Sequence, residues 1–124
     1  MTTDKIFLLF GSAFTGTAVA LGAFGAHGLR KVLTAEMLSV YQTGVLYQMI
    51  HGLALLAVGL TLRVYEGQAI AWSGWSLIAG VLLFSGSLYL LSMTSIRYIG
   101  FLTPLGGLAF LVGWALLFAG ILRS

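Results

Sequence analysis

Gln48 and His51 stand three residues apart inside YQTGVLYQMIHGLALLAVGLTL (41–62), a run otherwise apolar enough to cross a bilayer. Counted from Gln42, His51 lies roughly 13 Å along a helix that rises 1.5 Å per residue. An ionisable side chain at that depth normally faces the interior of a bundle and marks a functional site. The chemistry open to it is proton transfer, contact with a ligand such as a quinone, or a hydrogen bond to a neighbouring helix. Tyr47 precedes it by four positions, within reach of ring contact. Tyr41, Gly44, Gln48, His51, Leu55 and Gly59 then follow one another at three- and four-residue steps, a single stripe that is polar or small over much of its length.

Two readings of this stripe compete. In the plainer one, Gln48 and a neutral His51 are interhelical glue, bonded to a Ser, a Thr or a backbone carbonyl. In the other, Tyr47, Gln48, His51, Ser85 and Ser87 line a polar site in the bundle for a quinone, a lipid or a transported solute.

Several other chemistries are excluded. The chain has no cysteine, hence no thiolate metal site, disulfide or cysteine nucleophile. Its two histidines are His27 and His51. Axial haem ligands must face one iron from opposite sides at similar depth. His27 sits at the membrane edge, about two turns shallower, so neither haem nor any other cofactor is expected. Asp4, Glu36 and Glu66 lie outside or at the edges of the apolar runs, which disfavours a carboxylate-coupled exchanger, although His51 could carry a proton. No nucleophile stands with a base and an orienting group, so the protein is not expected to be an enzyme. The glycines fall within lipid-length helices and match no phosphate-binding loop.

The elements that must hold these residues follow from composition. Of 124 residues, 60% are hydrophobic and 7% charged, where soluble domains carry about 25% charged residues. Most of the surface must therefore face lipid. The six basic residues form no run, which excludes nucleic acid as a partner and suits cations flanking membrane spans. About 20 apolar residues cross a ~30 Å hydrocarbon core, and four such spans are predicted, at 6–26, 42–62, 69–93 and 104–122, in a single domain 1–124. Lys5 and the small-x-small triplet Ala23-Phe24-Gly25 raise the idea of a signal peptide. The run after Lys5 is too long for that, and it is read as a retained helix.

Local signals refine the spans. Thr34 is an N-cap and Glu36 lies in the first turn of helix two, where the helix dipole favours an anion. Tyr41 and Tyr47 are expected at the interface, as are Trp72 and Trp75 near the start of helix three. Ser76, Gly80 and Ser87 share a face of that helix. Thr103 is expected to cap helix four, with Pro104 at its first position. Gly16 and Gly22 in helix one, and Gly106, Gly113 and Gly120 in helix four, are expected to let neighbouring helices approach closely. His51-Gly52-Leu53-Ala54-Leu55-Leu56 is echoed by Gly106-Gly107-Leu108-Ala109-Phe110-Leu111, which would make two parallel helical-hairpin repeats. Lys5, Arg63 and Arg123 fall on one side of the membrane, and Arg30, Lys31 and Arg97 on the other. This tie leaves the positive-inside rule nothing to act on; the termini are expected on the cytoplasmic side.

Some blocks are more specific than composition. Gly22-Ala23-Phe24-Gly25-Ala26-His27-Gly28-Leu29, Tyr41-Gln42-Thr43-Gly44 with Tyr47-Gln48-Met49-Ile50-His51, Leu83-Phe84-Ser85-Gly86-Ser87-Leu88-Tyr89 and Thr103-Pro104-Leu105-Gly106-Gly107 resemble the domain-of-unknown-function family 423, the YgdD/YwdK-type small membrane proteins. The resemblance covers nearly the whole chain. It implies a four-helix protein of the bacterial inner membrane and carries over no catalytic residue. The expectation is an all-α, integral membrane four-helix bundle, a structural or accessory subunit or self-associating scaffold. Its partners would be membrane lipids and a second copy or a membrane complex; the alternative is a small-molecule site around His51.

Overall fold

Four apolar runs give four helices. A computed structural model describes residues 1–124, with α1 (Thr3–His27), α2 (Ala35–Thr61), α3 (Gln68–Thr94) and α4 (Leu102–Arg123) and no strand. Each is long and apolar enough to cross a membrane. The chain is an all-α, four-span integral membrane protein.

The helix ends follow local chemistry. The Thr34 hydroxyl accepts the Met37 N–H at 3.2 Å and starts α2. Gly67, at φ 147°, turns the chain into α3 in a region that side chains rarely enter. α4 departs from expectation. A 3₁₀ turn, Arg97–Phe101, runs into it without a break, so Thr103 does not cap the helix. The Thr103 hydroxyl instead bonds Ser87 at 2.6 Å, and Pro104 still lies in the first turn, where its missing N–H costs nothing.

α3 contains a wide π-turn at Val81–Ser85. Such a bulge inserts an extra residue into the helical repeat and changes which way the following side chains point. Here Ser85 reaches across to the Gly44 carbonyl of α2, at 2.7 Å, while Phe84 lies against Gly106 and Phe110 of α4.

α2 and α3 form the middle of the bundle, with α1 packed on α2 and α4 on α3. Burial follows that order: 44% of the spanning residues of α2 and of α3 are buried, against 17% in α1 and 22% in α4. Phe7, Leu55, Val58, Ile70, Leu77, Val81 and Phe110 make the common core. Asp4 and Arg63 join the outer ends of α1 and α2 in an exposed ion pair at 2.7 Å.

Both hairpins close on a seven-residue glycine seam. In the first, Thr15 and Leu8 lie over Gly52 and Gly59; in the second, Phe84, Leu77 and Ile70 lie over Gly106, Gly113 and Gly120. Side chains at these glycines would collide with the facing helix, so the seams set how near the axes come. By their place in the hairpins, Gly52 over Thr15 matches Gly113 over Leu77, and Gly59 over Leu8 matches Gly120 over Ile70. The counterpart of Gly52 is therefore Gly113, and not the Gly107 that the sequence echo suggested. In α1, Gly16 is exposed and faces open space, and Gly22 only touches Val45. Gly11, packed on Gly52 and Leu56, and Gly25, under the Tyr41 ring, make the close approaches instead. Tyr41 is also not an interfacial aromatic: it is buried, and its hydroxyl donates to the Leu21 carbonyl.

Candidate functional site

The stripe on α2 is buried throughout, yet it serves two different neighbours. Residues three apart on a helix differ by about 60° in direction, enough for Gln48 and His51 to meet different helices. Gln48 turns to α1 and α3. Its amide N–H groups donate to the Phe14 carbonyl (2.9 Å) and the Thr17 hydroxyl (2.7 Å), and its oxygen accepts the Tyr89 hydroxyl (2.7 Å). One side chain thus ties three helices together, which suits a medium where no water could satisfy those groups.

His51 turns to α4. The indole N–H of Trp114 donates to its Nε2 at 3.1 Å, so Nδ1 carries the imidazole proton and donates it to the Tyr47 carbonyl, one turn back, at 2.8 Å. The ring stacks on Phe110 with centroids 3.6 Å apart and planes 11° from parallel. Tyr47 lies 6.0 Å from His51 on the same side and 4.5 Å from Phe84. Both ring nitrogens are engaged, which describes a neutral imidazole held by its own helix and by one donor across the bundle.

These aromatics keep α2 and α4 apart. The two helices scarcely meet backbone to backbone, and a groove of about 740 Å³ runs between them. Tyr47, His51, Phe84, Phe110 and Trp114 form its inner wall; Leu46, Ile50, Leu108 and Leu111 form its rim, with Pro104 and Gly107 at one side. The rim leucines and Ile50 are exposed on the lipid-facing surface, so the groove opens sideways into the membrane. The Tyr47 hydroxyl makes no bond within the chain and is the one polar group there free to meet a ligand.

The five residues grouped from the sequence do not form one site. Tyr47 and His51 line the groove. Gln48 is spent between α1 and α3, Ser85 on Gly44, and Ser87 on Thr103 and its own Phe84 carbonyl. What sequence reasoning missed was Trp114, with Phe110 and Phe84. A signal existed: Trp72 and Trp75 sit near a helix end, whereas Trp114 lies well inside a span, where its N–H must find a partner in the protein. His27 is exposed at the end of α1 and joins no cluster of metal-binding side chains.

A family of proteins of unknown function, DUF423, matches residues 21–107, which include Tyr47, His51, Phe84 and Pro104. The chain is 44% identical to the UPF0382 membrane protein YwdK of Bacillus subtilis, over 91% of this chain and 93% of the relative. It is 41% identical to the UPF0382 inner membrane protein YgdD of Escherichia coli, over 98% of this chain and 92% of the relative. A UPF0382 membrane protein of Staphylococcus saprophyticus is 46% identical, over 96% and 98%. No solved structure matches.

Proposed function

Because the chain belongs to the DUF423 family of membrane proteins, whose description assigns no activity, we propose its function from its own geometry: it binds a lipid-soluble molecule in the groove between α2 and α4. The observation that carries this reading is the groove itself, aromatic inside, apolar at the rim and open to lipid beside a single free phenol. Sites for small molecules are of this kind, mostly apolar with a few placed polar groups. Binding rather than catalysis is supported by the state of His51, whose two nitrogens are both occupied and offer no base. We place the protein in the bacterial inner membrane, with both termini on the cytoplasmic side.

Photolabelling tests this. A fatty-chain probe bearing a diazirine, added to membranes holding the protein, is expected to label Tyr47, Ile50, Leu108 and Leu111 above lipid-facing residues elsewhere, such as Leu9 and Val19. Even labelling of all lipid-facing positions would refute the reading.

A second reading, a self-associating scaffold or accessory subunit, is supported by the outer face of α1. Ser12, Gly16 and Ala20 lie there at four-residue spacing, exposed in the single chain, with open space in front of Gly16. Small residues so arranged suit a close helix contact with a second copy or another membrane protein.

A further inference from the structure

A second cavity, of about 520 Å³, lies where α2 begins and α3 ends. Glu36 and Arg97 stand on its rim, while Met37, Val40 and Leu91 form its floor. The two charges do not pair with each other, since the chain's one ion pair joins Asp4 to Arg63. Both are exposed, and both precede or follow the apolar part of their helices, which puts the cleft at head-group depth. An unpaired cation and an unpaired anion above an apolar floor complement a ligand that carries both charges and a greasy tail.

The floor and the groove both draw on α2 and α3. Val40 and Tyr47 are seven residues apart on one face of α2, and Leu91 and Phe84 are seven apart on α3. Val40 and Leu91 line the cleft, Tyr47 and Phe84 the groove, so the two cavities lie along the same faces of α2 and α3 at depths differing by about 10 Å. We propose that cleft and groove together hold one aminophospholipid, with its phosphate at Arg97, its primary ammonium at Glu36 and an acyl chain in the groove. This rests on reading the groove as a ligand site. An arginine fork matches phosphate oxygens and a carboxylate matches an N–H-bearing ammonium. A choline head group has no N–H to donate and calls for an aromatic cage, which the cleft does not have. An anionic glycerol head group would leave Glu36 with no partner.

The test is native mass spectrometry of the full-length protein after exchange into equal amounts of phosphatidylethanolamine, phosphatidylglycerol and phosphatidylcholine. The wild type is expected to retain phosphatidylethanolamine about tenfold over the other two, the scale of one charge-assisted hydrogen bond. Glu36→Gln should erase the preference over phosphatidylglycerol, and Arg97→Gln should weaken retention of all three. Gly107→Leu, which fills the groove, should abolish retention while every head-group contact stays in place. Equal retention of the three lipids by the wild type, with loss in Gly107→Leu, would overturn the head-group assignment and leave the groove reading standing. Equal retention by wild type and Gly107→Leu would overturn both. Soluble glycerophosphoethanolamine is the last arm: displacement of the lipid at matched concentration would assign the cleft to a free head group and overturn the lipid.

Discussion

On one side of α2, around Gln48, three helices close over a polar side chain until every donor and acceptor on it is used. On the other side, around His51, the same helix stands off from α4 and leaves a groove. The lining residues explain the difference. Gly11, Gly52 and Gly59 let α1 and α2 touch through their backbones, and side-chain-to-carbonyl bonds then fasten them. Between α2 and α4 stand Tyr47, Phe110 and Trp114, rings too large to let the axes close. Where no hydrophobic effect drives helices together, residue size decides whether an interface closes into a joint or stays open as a groove.

The contrast can be broken most severely at a seam. A side chain at Gly106 would run into the backbone of Phe84, so Gly106→Leu should prevent α3 and α4 from closing and leave no monodisperse species by size exclusion in detergent. Gln48→Leu comes next. It strands the Tyr89 hydroxyl and removes the bonds to Thr17 and the Phe14 carbonyl, and at up to about 1–2 kcal/mol per interhelical bond the bundle should lose roughly 2 kcal/mol against denaturant. His51→Leu should cost less, about 1 kcal/mol, because it orphans only the Trp114 N–H at the edge of an open groove, but it should reshape the groove and weaken binding there. A loss larger than that of Gln48→Leu would mean that the His51 side is a structural joint after all.

The smallest expected change has the opposite sign. The Thr15 hydroxyl is buried against Gly52 with no hydrogen-bond partner. Thr15→Val keeps the shape and removes an unsatisfied group, so it should raise stability by about 1 kcal/mol in the same assay. Destabilisation would show that the hydroxyl has a partner in the membrane.

Much of this arrangement was legible in the residues. The four spans, the Thr34 cap and the seven-residue glycine repeat of α4 depend on composition and spacing along a single helix, which sequence records directly. Grouping Gln48, Ser85 and Ser87 with His51 failed because those assignments depend on which neighbour each face meets. A step of about 60° around α2 separates the α1 and α3 side from the α4 side, and the stripe alone does not say where one neighbour ends and the next begins. The π-turn at Val81–Ser85 has no signal in that apolar stretch, yet it sends Ser85 to Gly44 and Phe84 to α4. Gly16 misled for a related reason: a small residue permits close packing without requiring it, and the partner of α1 is chosen at Gly11 and Gly25.

The α2–α4 groove is expected to hold a ligand. The most direct measurement is native mass spectrometry of wild type and Gly107→Leu, each extracted from its own membrane in mild detergent. A Cβ at Gly107 meets only Cδ2 of the Phe84 ring, at 4.0 Å, so that variant should fold with its groove filled. A reproducible bound mass of lipid or quinone size on the wild type, absent from Gly107→Leu, is the expected result. No added mass on the wild type, or the same added mass on both, would contradict it.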